Sequence, residues 1–261
     1  MTLARLRQAK IDQQPIVMLT AYEAGLARVA AEAGVDAFLV GDSLGMVVQG
    51  QRDTLGVTVE EIAYHTAMVR RGVGNRLVIA DMPFLSDATV ARALDAAGLL
   101  MGEGGADMVK LEGGAEKAEI VHALTGNGVP VCGHVGLLPQ RVRKLGGYRV
   151  QGRGAEEAGR ILKDAQALVS AGIDLLVVEC VPCELGQALA KAIEVPVIGI
   201  GAGVDTDGQV LVMHDLLGLT DRPPRFVRDF MNGAGSIQTA FAAYVGAVRT
   251  RRFPTEQESF C

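Results

Sequence analysis

Short apolar runs alternate with longer amphipathic ones along the whole chain. The apolar runs cover residues 16–20, 37–41, 77–81, 108–112, 130–134, 175–179, 197–201 and 210–214, which predicts eight strands. Each is apolar at nearly consecutive positions, the pattern of parallel strands buried on both faces. Between them, residues 24–33, 58–71, 88–103, 115–124, 155–171 and 184–193 read as helices, and 226–248 is a last helical stretch behind the eighth run. Thr58 opens T-V-E-E, a capping box in which Thr58 caps the helix and Glu61 reaches back. Gly34 and Gly72 stop the first two helices.

Strand–helix units repeated eight times predict an α/β fold, a (β/α)8 barrel that fills residues 1–261 as a single domain, over an open sheet. One connection is irregular. Only the eight residues 202–209 lie between the seventh run and the eighth, fewer than a parallel crossover usually takes. Either that crossover has no proper helix or a strand boundary lies elsewhere.

Composition narrows the setting. Apolar residues make up 49% of the 261, enough for a large core, and 21% are charged, which excludes a disordered chain. A net charge of −5 argues against a nucleic-acid partner. No run approaches the ~18 apolar residues of a membrane helix, no basic amphipathic segment suits a membrane surface, and the first fifteen residues hold no signal-like apolar stretch. The spacing of Cys132, Cys180, Cys183 and Cys261 suggests no disulfide framework. A cytoplasmic, reducing setting is therefore expected.

In barrels of this kind the chemistry gathers where strands end. The predicted ends carry Thr20, Asp42 with Ser43, Asp81, Lys110 with Glu112, His134, Glu179 and His214 with Asp215. One acidic residue at a strand end is ordinarily a helix cap or a turn residue. Four on one face, Asp42, Asp81, Glu112 and Glu179, repel one another unless a cation neutralises them. Oxygen donors without a Cys or His cluster suit a hard ion such as Mg²⁺. Lys110 then offers a fixed positive charge to an anionic substrate, and Glu179, at the end of an apolar strand, suits proton abstraction next to a carbonyl.

Other features have plainer readings. Cys180 and Cys183 form a lone CxxC, short of the ligands zinc needs. Residues 199–203, GIGAG, form a Gly-rich turn without the rest of a phosphate-loop motif. His65 and His122 lie inside helical patterns. The basic run Arg141, Arg143, Lys144, Arg149 and Arg153 reads as a solvated loop, or more sharply as a contact for an acidic cofactor tail or another subunit.

The stretches GDSLGM (41–46), ADMPF (80–84), KLEGG (110–114), GHVGLLPQ (133–140), ECVP (179–182) and GQVLVMHDLLGL (208–219) together resemble the ketopantoate hydroxymethyltransferase family, and similarity extends from Met18 to Phe260. The resemblance implies a barrel of the phosphoenolpyruvate mutase/isocitrate lyase type. It implies transfer of a hydroxymethyl group from 5,10-methylenetetrahydrofolate to 3-methyl-2-oxobutanoate, giving 2-dehydropantoate for pantothenate synthesis. By the same resemblance Asp42, Asp81 and Glu112 form a Mg²⁺ site. Asp42, Ser43, Asp81 and Lys110 take the oxo acid, Glu179 is the base, His134 lies near the reacting centre, and the assembly is a homo-oligomer, a decamer. The chain departs from the family pattern at Leu138, Arg141, Arg143, Asp87 and Thr206, none of them a metal or base position. The acidic ring alone also fits a related lyase or mutase acting on a 2-oxo or 2-hydroxy acid, or a metal-dependent oxo-acid binder without chemistry.

Overall fold

A computed structural model describes residues 2–261. Eight parallel strands close into a barrel in chain order: β1 Ile16–Thr20, β2 Ala37–Val40, β3 Leu77–Asp81, β4 Met108–Glu112, β5 Val131–Gly136, β6 Leu175–Glu179, β7 Val197–Ile200 and β8 Gly208–Leu211. The sheet closes where β1 pairs with β8, Ile16 opposite Gly208. Nearly every strand residue is buried, one face toward the barrel interior and the other under the helices, as the unbroken apolar runs require.

The helices form for the local reasons expected. In Val59–Gly72, Thr58 accepts from the Glu61 N–H at 3.2 Å and Glu61 accepts from the Thr58 N–H at 2.8 Å. The helix Ala155–Ala171 ends on Gly172 in the left-handed region. A helix that periodicity did not single out, Leu3–Ile11, is fastened near the strand starts by Lys10, whose Nζ lies 2.6 Å from Asp207.

Three expectations are corrected. The eighth strand begins at Gly208 and ends at Leu211, so His214 and Asp215 sit in the short helix Met213–Leu216. The β7–β8 connection is thereby shorter still and holds no helix. It is a tight return in which Gln209 Nε2 donates to the Gly203 carbonyl (3.0 Å) and to Thr206 Oγ1 (2.9 Å). Gly208 permits the closure, because a Cβ there would lie 2.3 Å from the Ile16 carbonyl oxygen. The last helix spans Ile237–Arg249, starting at its Ser236 cap. Residues 226–236 are turns, with Gly233 and Gly235 at positive φ, although Phe226 and Phe230 are buried against the core. Finally, Cys183 and Cys261 are joined by a disulfide, S–S 2.05 Å. The 78 residues between them hide the pair from a reading of spacing. The tail folds back so that the Cys183 N–H donates to the Phe260 carbonyl at 3.3 Å. Cys132 and Cys180 are free and buried.

Candidate active site

The carboxylates are brought together by strand geometry. Side chains two apart on a strand share a face, so Lys110 and Glu112 both point into the mouth of the barrel from β4. Asp81 ends β3, and Asp42 follows β2 after Gly41. The Asp42 N–H donates to Asp81 Oδ2 at 3.2 Å, and Lys110 Nζ lies 2.6 Å from Asp81 Oδ1 and 4.0 Å from Glu112 Oε1. All these side chains are almost fully buried. Ser43, next to Asp42, is hydrogen-bonded to the Tyr22 hydroxyl at 2.8 Å.

Across the barrel, His134 stands between two carboxylates. Its Nδ1 is 3.6 Å from Glu112 Oε1 and its Nε2 is 3.3 Å from Glu179 Oε2. These are ion-pair distances without aligned hydrogen bonds, for both ring nitrogens and Glu112 Oε1 are buried without a hydrogen-bond partner. Glu179 is the most open of the group, its side chain 14% exposed. Its backbone is fixed by Leu137, whose N–H donates to the Glu179 carbonyl at 2.8 Å.

Gln140 ties Asp42 to Glu112 within the acidic side, and no sequence motif assigned it a role. Its backbone N–H donates to Glu112 Oε2 (3.1 Å), and its Nε2 donates to Asp42 Oδ2 (3.0 Å) and to the Met82 carbonyl (3.0 Å). The one local signal is a Pro-Gln pair soon after the fifth strand.

Burial and crowding set the charges. Burial first, then the charges of Asp81 and Glu112, pushes the Asp42 carboxyl well above its ordinary range. Burial also raises Asp81, although Lys110 opposes it. Burial works against the Lys110 ammonium, but Asp81, Glu112 and Asp42 outweigh it and raise its pKa. For Glu112 burial is again opposed, here by His134, Lys110 and the Gln140 N–H, and the net direction is down. His134 loses by burial and gains more from Glu112 and Glu179, which carries it up to about 9. Both carboxylates thus favour its protonated form.

Asp42, Ser43, Asp81, Lys110, Glu112 and Glu179, the residues predicted from sequence, all line one cavity of about 550 Å³, with His134 beside them. Among the described residues no three His, Cys, Asp or Glu side chains converge closely enough to hold a metal ion by themselves. A second cavity, about 650 Å³, lies behind the loop after β4 and contains none of these groups. It accounts for part of the basic run. Arg141 pairs there with Glu116, while Arg143 pairs with Asp53 elsewhere at 2.8 Å. His65 is structural, its Nδ1 2.6 Å from the Tyr22 carbonyl.

The family described as ketopantoate hydroxymethyltransferase matches residues 1–256. A protein of Alkalilimnicola ehrlichii named 3-methyl-2-oxobutanoate hydroxymethyltransferase is 57% identical over 260 residues, 99% of this chain and 94% of that one. One of the same name from Halorhodospira halophila is 54% identical over 259 residues, again 99% and 94%. Among solved structures, a putative phosphonomutase from Burkholderia cenocepacia aligns at TM-score 0.66 and 17% identity, covering 83% of this chain and 93% of that one. A phosphonopyruvate hydrolase in complex with oxalate and Mg²⁺ aligns at 0.64 and 14%, covering 99% and 93%. At these identities the likeness is one of fold, the closed (β/α)8 barrel.

Proposed function

Because the chain belongs to the ketopantoate hydroxymethyltransferase family, we propose that it makes 2-dehydropantoate from 3-methyl-2-oxobutanoate, for pantothenate biosynthesis, with 5,10-methylenetetrahydrofolate as one-carbon donor. The observation that carries the mechanism is one cavity with an acidic, lysine-bearing side from β2 to β4 and a separate glutamate on β6.

The acidic side fits a divalent cation. Its donors are all carboxylate oxygens, and Glu112 Oε1 is buried with no hydrogen-bond partner. Asp42, Asp81 and Glu112 would hold the ion. When bound, such an ion polarises the keto oxygen and stabilises the negative charge that proton loss places there. Lys110 keeps one positive charge in place beside Asp81, and Ser43 offers a hydroxyl to the substrate carboxylate.

Glu179 takes the proton from C3. Its neighbour His134, whose Nε2 lies 3.3 Å from Glu179 Oε2, helps to position the carboxylate. The C3 carbon then bonds to the one-carbon unit of the folate, water supplies the hydroxyl oxygen, and tetrahydrofolate leaves. The Leu137 N–H holds the Glu179 backbone throughout. Family membership also supports a homo-oligomer, a decamer, and a cytoplasmic setting. No helix among the described residues is long and apolar enough to cross a membrane.

The test is C3 hydrogen exchange in D₂O, followed by NMR without folate. Glu179→Gln should slow it by about 10²–10⁴-fold, the usual contribution of a positioned base, while oxo-acid affinity stays near wild type. Exchange at the wild-type rate would remove Glu179 from the role.

A further inference from the structure

The cavity changes character away from the carboxylates. Its β8 side is built by the segment after that strand and by the tail. Asp215, in the helix Met213–Leu216, lines the cavity and is only 8% exposed. The Thr220 hydroxyl donates to Asp215 Oδ1, and among the described residues no donor reaches Oδ2 and no cationic side chain pairs with the group. A buried carboxylate with an open oxygen is costly unless further donors complete it.

The same side carries two phenyl rings, Phe226 and Phe260, with centroids 6.5 Å apart in an edge-on arrangement. Gly201, at φ +62°, makes room for them, since a Cβ there would lie 2.7 Å from Phe226 and 3.2 Å from Phe260. Phe260 is held by its hydrogen-bonded carbonyl and by the disulfide at the next residue. Arg222 and Arg225 are exposed and also line the cavity, and the Arg225 guanidinium lies over the Phe260 ring, 5.8 Å from its centroid.

A buried acceptor, an apolar wall of two edge-on rings and exposed cations suit a planar ring with two adjacent N–H donors and an acidic tail. We infer that the β8 side of the cavity binds the pterin end of the folate. The ring N–H and neighbouring amino group of the 2-amino-4-oxopyrimidine donate to Asp215, the ring lies against Phe226 and Phe260, and the glutamate tail runs outward past Arg222 and Arg225. This assignment rests on the folate-dependent reading above. It leaves the oxo-acid half of the cavity untouched, so the two halves are separable by experiment.

Asp215→Asn, Phe260→Ala and the wild type are compared in three measurements: KM for methylenetetrahydrofolate, KM for the oxo acid, and folate-free C3 exchange. Asp215→Asn replaces a charged acceptor with an amide that presents its own donors. The loss of a charge-assisted pair raises the folate KM about 10–100-fold. Phe260→Ala raises it several-fold. Oxo-acid KM and C3 exchange stay at wild-type values in both variants. An unchanged folate KM in Asp215→Asn overturns the assignment. So does a parallel fall in C3 exchange, because Asp215 would then act only by bracing the segment to Thr220. If Asp215→Asn does not fold, Phe260→Ala decides by the same criteria. A wild type that exchanges the C3 proton but makes no product from methylenetetrahydrofolate refutes the folate reading itself, and the subsite with it.

Discussion

Gln140→Leu is the substitution for which the geometry gives the sharpest number. Leucine has a similar size and keeps the backbone N–H that donates to Glu112, but it removes the amide that donates to Asp42 Oδ2 and to the Met82 carbonyl, each at 3.0 Å. A hydrogen bond to a charged acceptor contributes about 1.5–3 kcal/mol, and a buried carbonyl left without its donor costs about 1–3 kcal/mol. Water can reach the site from the cavity that Asp42 lines, which pulls the sum toward its lower half. A loss of roughly 2–4 kcal/mol is expected. It should be measured by urea unfolding in a chelator, since bound cation would add its own stabilisation. The functional consequence follows from the same contacts. Gln140 lowers the proton affinity of Asp42 and fixes its orientation, so the folded variant should bind Mg²⁺ or Mn²⁺ about tenfold more weakly, or worse, by calorimetry. The Lys110–Asp81 pair does not involve Gln140 and should persist. A variant within ~0.5 kcal/mol of wild type, the scatter of an ordinary surface substitution, and with unchanged cation affinity would refute the bridging role.

Two further outcomes are expected. Gly136, at φ +92°, would carry a Cβ 2.3 Å from the Glu179 carbonyl oxygen. Gly136→Ala should therefore cost about 3 kcal/mol and slow C3 exchange by displacing the base, whereas Gly126→Ala, where a Cβ meets nothing within 4 Å, should be neutral or slightly stabilising. Equal effects of the two alanines would contradict this. For Glu258, burial raises the carboxyl pKa, but the hydrogen bonds from Arg228 at 2.6 and 2.7 Å and from the Thr255 N–H more than offset it and hold the carboxyl below its ordinary range. A depressed folded pKa gives stability that is complete above the unfolded value, ~4.3, and lost as pH falls through the folded one. The stability gap between wild type and Glu258→Gln should thus shrink in acid, and a gap independent of pH from 7 to 3 would show that the pair does not hold the tail.

The barrel was readable because strands buried on both faces leave unbroken apolar runs. The errors fall where that signal breaks down. β8 contains Gln209, a polar residue buried to fasten its own entry turn, while the apolar residues after it, Val212 and Met213, have already left the strand. The run therefore looked displaced by a few positions. Phe226 and Phe230 resemble helix residues because they are buried, yet prolines before them and glycines after them impose turns. The charged residues were readable because carboxylates at successive strand ends must converge in a closed barrel. Gln140 and Asp215 were not. A neutral glutamine earns its place only through where its amide points, and Asp215 looked like one more strand-end acid until its short helix placed it on the β8 side of the cavity.

The position of His134 explains why the acidic groups can work as two sets. Glu112 and Glu179 lie on β4 and β6, and β5 between them supplies the imidazole that contacts both. Without that ring, Glu179 would face Glu112 with no donor group between the two carboxylates. With His134 between them, Glu112 stays with Asp42, Asp81 and Lys110, and Glu179 is left to the substrate in the proposed mechanism. In the proposed mechanism the imidazole is a positioning group for the two carboxylates. On that account His134→Gln, which keeps hydrogen-bonding capacity but loses the ring that touches both carboxylates, should slow C3 exchange about tenfold by misplacing Glu179 without abolishing it. An exchange rate abolished at every pH would instead make His134 a proton carrier in its own right.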